Sequence, residues 1–239
     1  VSPPLRYQRI VLKLSGEVLA GDRGFGINPP VLETLSDEIL AICGTGVELG
    51  LVVGGGNILR GATASKQGTD RVAADYMGML STVINAMALQ DQLERRGLET
   101  RLLTAIRMEQ VAEPYIRRRA MRHLERGRVI LLAGGTGNPY FSTDTTAVLR
   151  AIEIGAEAVL KATKVDGIYT ADPRKESDAE LIEEISYREV LEQDLRVMDS
   201  TAVTMAKEND LPILVFNIHR AGAVQGILAG ERVGSIVEG

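Results

Sequence analysis

Four short segments carry residue types that could handle phosphate. Lys13-Leu14-Ser15-Gly16-Glu17 closes an apolar run. A lysine at the end of such a run either reaches solvent or is aimed at an anion. Ser15 and Gly16 behind it could add backbone N–H groups in an anion-binding nest. Gly54-Gly55-Gly56-Asn57-Ile58-Leu59-Arg60-Gly61 follows a second apolar run. Three glycines let a backbone approach a ligand closely, though a tight turn needs them too. Arg60 adds a planar donor fork suited to phosphate. Ala133–Asp144, AGGTGNPYFSTD, combines glycines with the polar side chains of Thr136, Asn138, Ser142 and Thr143. Beside phosphates a carboxylate is repulsive unless it holds a cation. Asp144 is therefore a candidate to orient Lys13 or to bind Mg²⁺ through water, and its plainer role is an acid in a first helical turn. Lys161–Pro173, KATKVDGIYTADP, offers hydroxyls, an aromatic and acids that could hold a purine and its ribose, or make a plain turn-rich loop. Asp75 could accept hydrogen bonds from ribose hydroxyls, or only match a helix dipole.

The elements that must position these segments alternate. Strands are expected at Arg9–Leu14, Glu48–Val53, Glu99–Thr104, Arg128–Ala133, Ala158–Ala162, Pro212–Phe216 and Gly234–Val237. Helical spacing follows Asn28 and Pro29 through Leu32, Leu35, Ile39 and Ile42, ending at Gly44 or Gly46. Further helices are expected over Asp70–Arg96, Pro114–Arg126 and the stretch after Asp144, while Val165–Glu184 holds turn signals. Strand–helix alternation predicts a mostly parallel sheet with helices on both faces. The four segments would then converge at the C-terminal edge of that sheet, where ligands bind in open α/β folds. Period-two alternation puts Lys13 on the face opposite Leu12 and Leu14.

Composition narrows the class. The 239 residues carry 27 basic and 32 acidic side chains, a net charge of −5 that argues against a nucleic-acid coat. Apolar residues make up 45%, aromatics 4%, and Trp is absent, so the core must be aliphatic. The single Cys43 excludes an intrachain disulfide framework and fits a reducing cytosol. No run of 18 apolar residues occurs, so neither a transmembrane helix nor membrane partners are expected, and VSPPLRYQR has no apolar stretch of the kind a signal peptide needs. There is no GxxxxGK[ST], no GxGxxG after the first strand and no GxSxG elbow. His123, His219 and Cys43 are scattered, so no zinc site is visible. The run Arg117-Arg118-Arg119 with Arg122 reads as a solvated helix face or a subunit contact. One domain over 1–239 is expected, with two lobes at about 7–155 and 156–239.

In this order, KLSGE at 13–17, GGGNILRG at 54–61, DYMGML at 75–80, GTGNPYFSTDTTA at 135–147 and KATKVDGIYTADP at 161–173 resemble the bacterial uridylate kinase family of the amino-acid-kinase superfamily. The resemblance runs from about Tyr7 to Val237. DYMGML and GTGNPYFSTD separate it from acetylglutamate, carbamate and aspartate kinases. It implies a three-layer αβα sandwich, assembled as a homohexamer in the cytoplasm, that moves the γ-phosphoryl of ATP to UMP with Mg²⁺. It implies that Lys13, Leu14, Ser15, Gly16, Gly56, Arg60, Thr163, Tyr169 and Asp172 serve ATP. Gly55, Asp75 and the segment Thr136, Gly137, Asn138, Pro139, Tyr140, Phe141, Ser142 and Thr143 would serve UMP. Lys13, Arg60 and Asp144 would carry the chemistry. Family members are typically activated by GTP and inhibited by UTP, and Gly24, Phe25, Gly26 and Ile27 match a region tied to the GTP response. A carboxylate or carbamate kinase, and a non-catalytic nucleotide-binding or storage protein on the same fold, are the competing readings.

Overall fold

The computed structural model describes residues 4–59, 68–171, 173, 175, 176, 178–195 and 198–239. Its frame is a nine-stranded sheet, counted among the described residues, in the order β4-β3-β5-β2-β1-β6-β10-β11-β9. The inner strands are β1 (Arg9–Leu14), β2 (Glu48–Val53), β3 (Thr100–Thr104), β5 (Val129–Ala133), β6 (Ala158–Thr163) and β10 (Ile213–Asn217). All of these pair in parallel. The edges are β4 (Glu113–Pro114) on one side, and β11 (Ser235–Val237) with β9 (Glu184–Ile185) on the other. Within this sheet, among the described residues, only the β10–β11 pairing is antiparallel.

Burial on both faces explains why the inner strands read as nearly unbroken apolar runs. In β1 the alternation sorts the core in two. Ile10, Leu12 and Leu14 pack in one apolar cluster with helices α2 (Pro29–Cys43), α3 (Arg71–Arg95) and α8 (Ala223–Leu228). Val11 packs in the other with α4 (Arg117–Leu124), α5 (Thr143–Ile154), α6 (Tyr187–Glu192) and α7 (Ser200–Glu208). The result is three layers, helices on sheet on helices. The short α1 (Gly16–Ala20) and one 3₁₀ turn, Gly21–Arg23, follow β1.

Strand positions agree with the sequence reading to within a residue or so. The region after residue 112 does not. The helix expected from Pro114 starts at Arg117 and ends at Leu124, and Glu113–Pro114 instead pairs with β3 as β4. The residue before a proline is pushed out of helical geometry, and an edge strand tolerates the missing N–H. The turn-rich stretch after Val165 contains a small hairpin of β7 (Ile168–Tyr169) and β8 (Leu181–Ile182), which stands apart from the main sheet.

α3 is long and apolar enough to cross a membrane by length and composition alone. It lies instead against the sheet, with Leu89 and Leu93 fully buried.

Candidate active site

β1 and β6 are neighbours, and their register pairs Lys13 with Lys161. Both side chains therefore leave the same face near the C-terminal ends of adjacent strands. The first turn of α5 brings Asp144 between them. Lys13 Nζ stands 2.6 Å from Asp144 Oδ1, and Lys161 Nζ donates to Oδ2 at 2.8 Å. Lys13 is only 7% exposed, so the solvent-reaching reading of this lysine is excluded. Burial pushes the Asp144 carboxyl up, but the two ammonium groups outweigh it and hold it below its ordinary range. Burial pulls the Lys161 ammonium down, Asp144 resists that fall, and Lys13 adds to it. Two cations and one anion leave this buried cluster with one net positive charge when all three are ionised.

Asp144 is held by its own helix cap. The Ser142 hydroxyl accepts from the backbone N–H of Asp144 at 2.9 Å and of Thr145 at 3.2 Å, satisfying amides that a helix start leaves unpaired. The same hydroxyl donates to Asp199 Oδ2, and Thr145 Oγ1 donates to Asp199 Oδ1 at 2.9 Å. Asp199 in turn caps α7 through Ala202 N–H at 2.9 Å. Asp199 thus fastens α7 to the turn that presents Asp144.

Two cavities flank the cluster. One, of about 390 Å³, lies between α3 and the 133–144 loop and is lined by Gly55, Gly56, Asp75, Tyr140, Phe141 and Ser142, among others including Thr143. The other, of about 440 Å³, is lined by Lys161, Thr163, Val165, Tyr169, Asp194 and Leu195, among others. Gly55 is required at its place by packing: a Cβ there would sit 2.7 Å from the Gly78 carbonyl oxygen of α3. At Gly16 a Cβ would meet Asn57 Oδ1 and Gly54 O, each at 2.5 Å. Both glycines hold loops together whatever else they touch.

The expected site residues fall into groups. Gly55, Asp75, Tyr140, Phe141, Ser142 and Thr143 meet in the first cavity, and Gly56 lies with them rather than in the second. Thr136, Gly137, Asn138 and Pro139 do not line it; the Thr136 hydroxyl donates to Asn138 O at 3.2 Å and shapes the turn. Thr163 and Tyr169 line the second cavity. Thr163 Oγ1 is already tied to Val165 O at 2.7 Å and Phe216 O at 3.1 Å. The Leu14 side chain is buried in the core, and its carbonyl accepts from Gly54 N–H at 2.9 Å. Ser15 Oγ caps α1 by accepting from Glu17 N–H at 3.3 Å. Arg60 and Asp172 lie outside the described residues. Among Gly24, Phe25, Gly26 and Ile27, the Phe25 ring is exposed, while Gly26 exchanges bonds with Asn57: its N–H donates to Asn57 O at 2.9 Å and its carbonyl accepts from Asn57 Nδ2 at 2.7 Å.

Residue types alone did not single out Lys161, Asp199, Arg71 or Asn85. Lys161 had a signal, since like Lys13 it interrupts an apolar strand near its end. Asn85 is fully buried in α3, exchanges amide hydrogen bonds with Asn57 at 2.6 and 3.0 Å, and donates to Gly54 O at 2.7 Å. That pair locks the triple-glycine loop to the helix.

No group of three His, Cys, Asp or Glu side chains among the described residues could cage a metal ion. Both Asp144 oxygens face ammonium groups. This donor set fits a hard cation carried on nucleotide phosphates with its own water better than a protein-bound ion.

A model of the amino acid kinase family matches residues 8–217. The chain is similar to the UMP kinase of Bacillus anthracis, at 41% identity and a TM-score of 0.94 over 99% of this chain and 97% of that one. It is similar to the UMP kinase of Ureaplasma parvum, at 34% identity and a TM-score of 0.91 over 98% and 100%. The uridylate kinase of Archaeoglobus fulgidus aligns at 25% identity and a TM-score of 0.72 over 95% and 99%.

Proposed function

The chain belongs to the amino acid kinase family, and from that premise we propose that it transfers the γ-phosphoryl group of ATP to UMP, giving UDP and ADP. One observation carries this reading: Asp144 clamps Lys13 and Lys161, while Lys161 lines one cavity and Ser142 and Thr143, just before Asp144, line another. The cavity along α3 takes the acceptor, and the cavity beside Lys161 takes ATP. The proposed lobes, about 7–155 and 156–239, meet along the β1–β6 pairing.

The acceptor is a phosphate monoester whose second pKa is about 6, so near neutral pH it is already a nucleophile. No general base is needed. Catalysis reduces to alignment and charge neutralisation. Lys13 and Lys161 neutralise charge on the transferring group as it passes between the cavities. Asp144 keeps the two ammonium groups apart from one another and aimed. Arg60 adds a phosphate contact, and Asp172 an adenosine contact, by resemblance. Asp75 accepts from the ribose of UMP, and the 140–143 end of the turn, which lines the cavity, contacts the base. Mg²⁺, when it arrives on ATP, supplies further neutralisation of the phosphate oxygens.

The exposed residues of α3 from Val72 to Met87 are all apolar, and include Tyr76, Met77, Leu80 and Ile84. Such a stripe suits burial against another copy of the chain, consistent with a homohexamer. GTP activation through 24–27 would reach the acceptor loop through Asn57, and UTP inhibition would follow from occupancy of the acceptor cavity. A cytoplasmic location fits the single, desolvated Cys43 thiol, pushed up to about 11 by burial.

The test is ADP release measured with UMP, with CMP and with no acceptor, alongside a mass measurement. ADP formed with UMP alone supports the assignment. Nucleotide binding without turnover supports the storage reading, and turnover with a carboxylate or carbamate supports a different kinase.

A further inference from the structure

Arg71 sits in the first turn of α3 and lines the acceptor cavity. Three observations tie it to that site. Its Nε donates to Asp75 Oδ2 at 2.8 Å, one helical turn on. The same Oδ2 accepts the Tyr140 backbone N–H at 2.8 Å, across 65 residues of chain. The Arg71 guanidinium also lies over the Tyr140 ring, 5.3 Å from its centre. Tyr140 has a backbone φ of +73°, in the left-handed region that a bulky side chain rarely adopts. The residue is 66% exposed, so ordinary core packing does not impose this conformation.

The bonds converge on one oxygen. Among the described residues, Asp75 Oδ1 has no hydrogen-bond partner, whereas Oδ2 has two. A carboxylate so fastened has one fixed acceptor left to offer. We propose that Arg71 is a positioning residue that locks Asp75 and Tyr140 together, and that this lock sets the preference for a ribonucleoside over a 2′-deoxyribonucleoside monophosphate. The proposal rests on the reading of Asp75 as the ribose partner. The guanidinium is suited to the task because one group serves both contacts: its Nε donates to the carboxylate while the same group lies over the ring. A lysine ammonium is a point charge and cannot do both.

The test compares wild type, Arg71→Met and Arg71→Lys with UMP and 2′-deoxy-UMP. In Arg71→Met the KM for UMP rises by about tenfold, the value expected for losing one charge-assisted bond that orders the site. The KM for 2′-deoxy-UMP barely moves, so the margin between the two substrates collapses while kcat changes by no more than about threefold. Arg71→Lys keeps the charge but not the planar fork, and gives an intermediate margin. Equal rises for both substrates would mean that Arg71 grips the phosphate directly, and would overturn the proposal. So would a loss of Tm and kcat with the margin intact, which is the mark of a merely structural arginine.

A second readout separates this proposal from the ribose reading. With fluorine-labelled tyrosine, the Tyr140 line, assigned by its loss in Tyr140→Phe, shifts in Arg71→Met without any nucleotide. If wild type shows no margin between the two substrates, the ribose reading of Asp75 fails. If the Tyr140 line stays in place, the lock itself fails.

Discussion

The cavity proposed for the acceptor is walled by a 25-residue helix, whereas the cavity beside Lys161 is bounded by a hairpin of two strands with two residues each. On the α3 side the polar groups are already bonded to one another before any ligand arrives: Arg71 to Asp75, Asp75 to Tyr140, Asn85 to Asn57 and Gly54. On the other side the wall is mainly apolar, with Val165, Ile168, Ala171, Leu195 and Val215 around a few hydroxyls. The first wall selects by fixed donors and acceptors, which penalise a ligand that leaves them unpaired. The second offers surface and little pairing. The difference teaches where discrimination should lie: strict for the acceptor, looser for the donor.

That contrast breaks first at the shared centre. Lys161→Met and Lys13→Met each leave Asp144 with one partner and remove positive charge from the path of transfer. Each is expected to lower kcat by about 10²- to 10³-fold, the scale of losing one preorganised charge stabiliser. UMP binding measured by calorimetry should hardly change in Lys13→Met. Equal losses in binding and turnover would show that the lysine belongs to the acceptor cavity alone, and the two-cavity picture would fall.

The rigidity of the α3 wall is tested next. Asn85→Ala removes a buried amide that makes three hydrogen bonds with Asn57 and Gly54, and strands their polar groups. A loss of about 3 kcal/mol in unfolding free energy is expected by denaturant titration. A loss under about 1 kcal/mol would mean that the wall is not held by this pair. Asp75→Asn probes the same wall more gently. It should raise the KM for UMP by about tenfold or more and leave that for ATP unchanged. A parallel rise in both would erase the division between the cavities.

How far the sequence carries the argument differs between the same two regions. The sheet was legible because strands buried on both faces must be largely apolar, and β1, β2, β3, β5 and β6 each end at or just before a glycine or a hydroxyl, whereas β10 ends at Asn217. The AGGTGNPYFSTD segment was legible because a cap and a carboxylate in a first turn have few uses near phosphate. Lys161 was legible in principle but lay inside a segment that also reads as a plain turn. Arg71 and Asn85 were not, because each acts through a partner far away in the chain: Arg71 through Tyr140, Asn85 through Asn57 and Gly54. Hydrophobic periodicity reports which face of α3 is buried, not which polar residue on it finds a partner. The same limit applies to α7, whose capping residue Asp199 looks like any helix start until Ser142 and Thr145 meet it. The hairpin of β7 and β8 is too short for alternation to show.

The smallest effect expected is a pH trend that separates the shared centre from both walls. Lys161 loses its proton more readily than an ordinary lysine because burial disfavours its charge, although Asp144 and Asp199 oppose that and Lys13 assists it. Its folded value therefore lies below 10.5, the value expected for an unfolded chain. Between the two values the unfolded chain binds a proton that the folded chain does not, so the contribution of Lys161 to stability rises with pH. Activity runs the other way, since neutral Lys161 cannot stabilise phosphoryl charge. In that window kcat/KM should fall while this part of the stability climbs. Lys161→Arg keeps its charge throughout, so it should lower kcat at neutral pH yet abolish the alkaline fall. Asp144 behaves oppositely at the acid end. The lysines hold its carboxyl below 3.8, so its contribution to stability is fully present above that pH and is lost only as pH falls through the lower, folded value. An alkaline limb that persists unchanged in Lys161→Arg would assign the titration to another group and leave Lys161 a structural partner of Asp144.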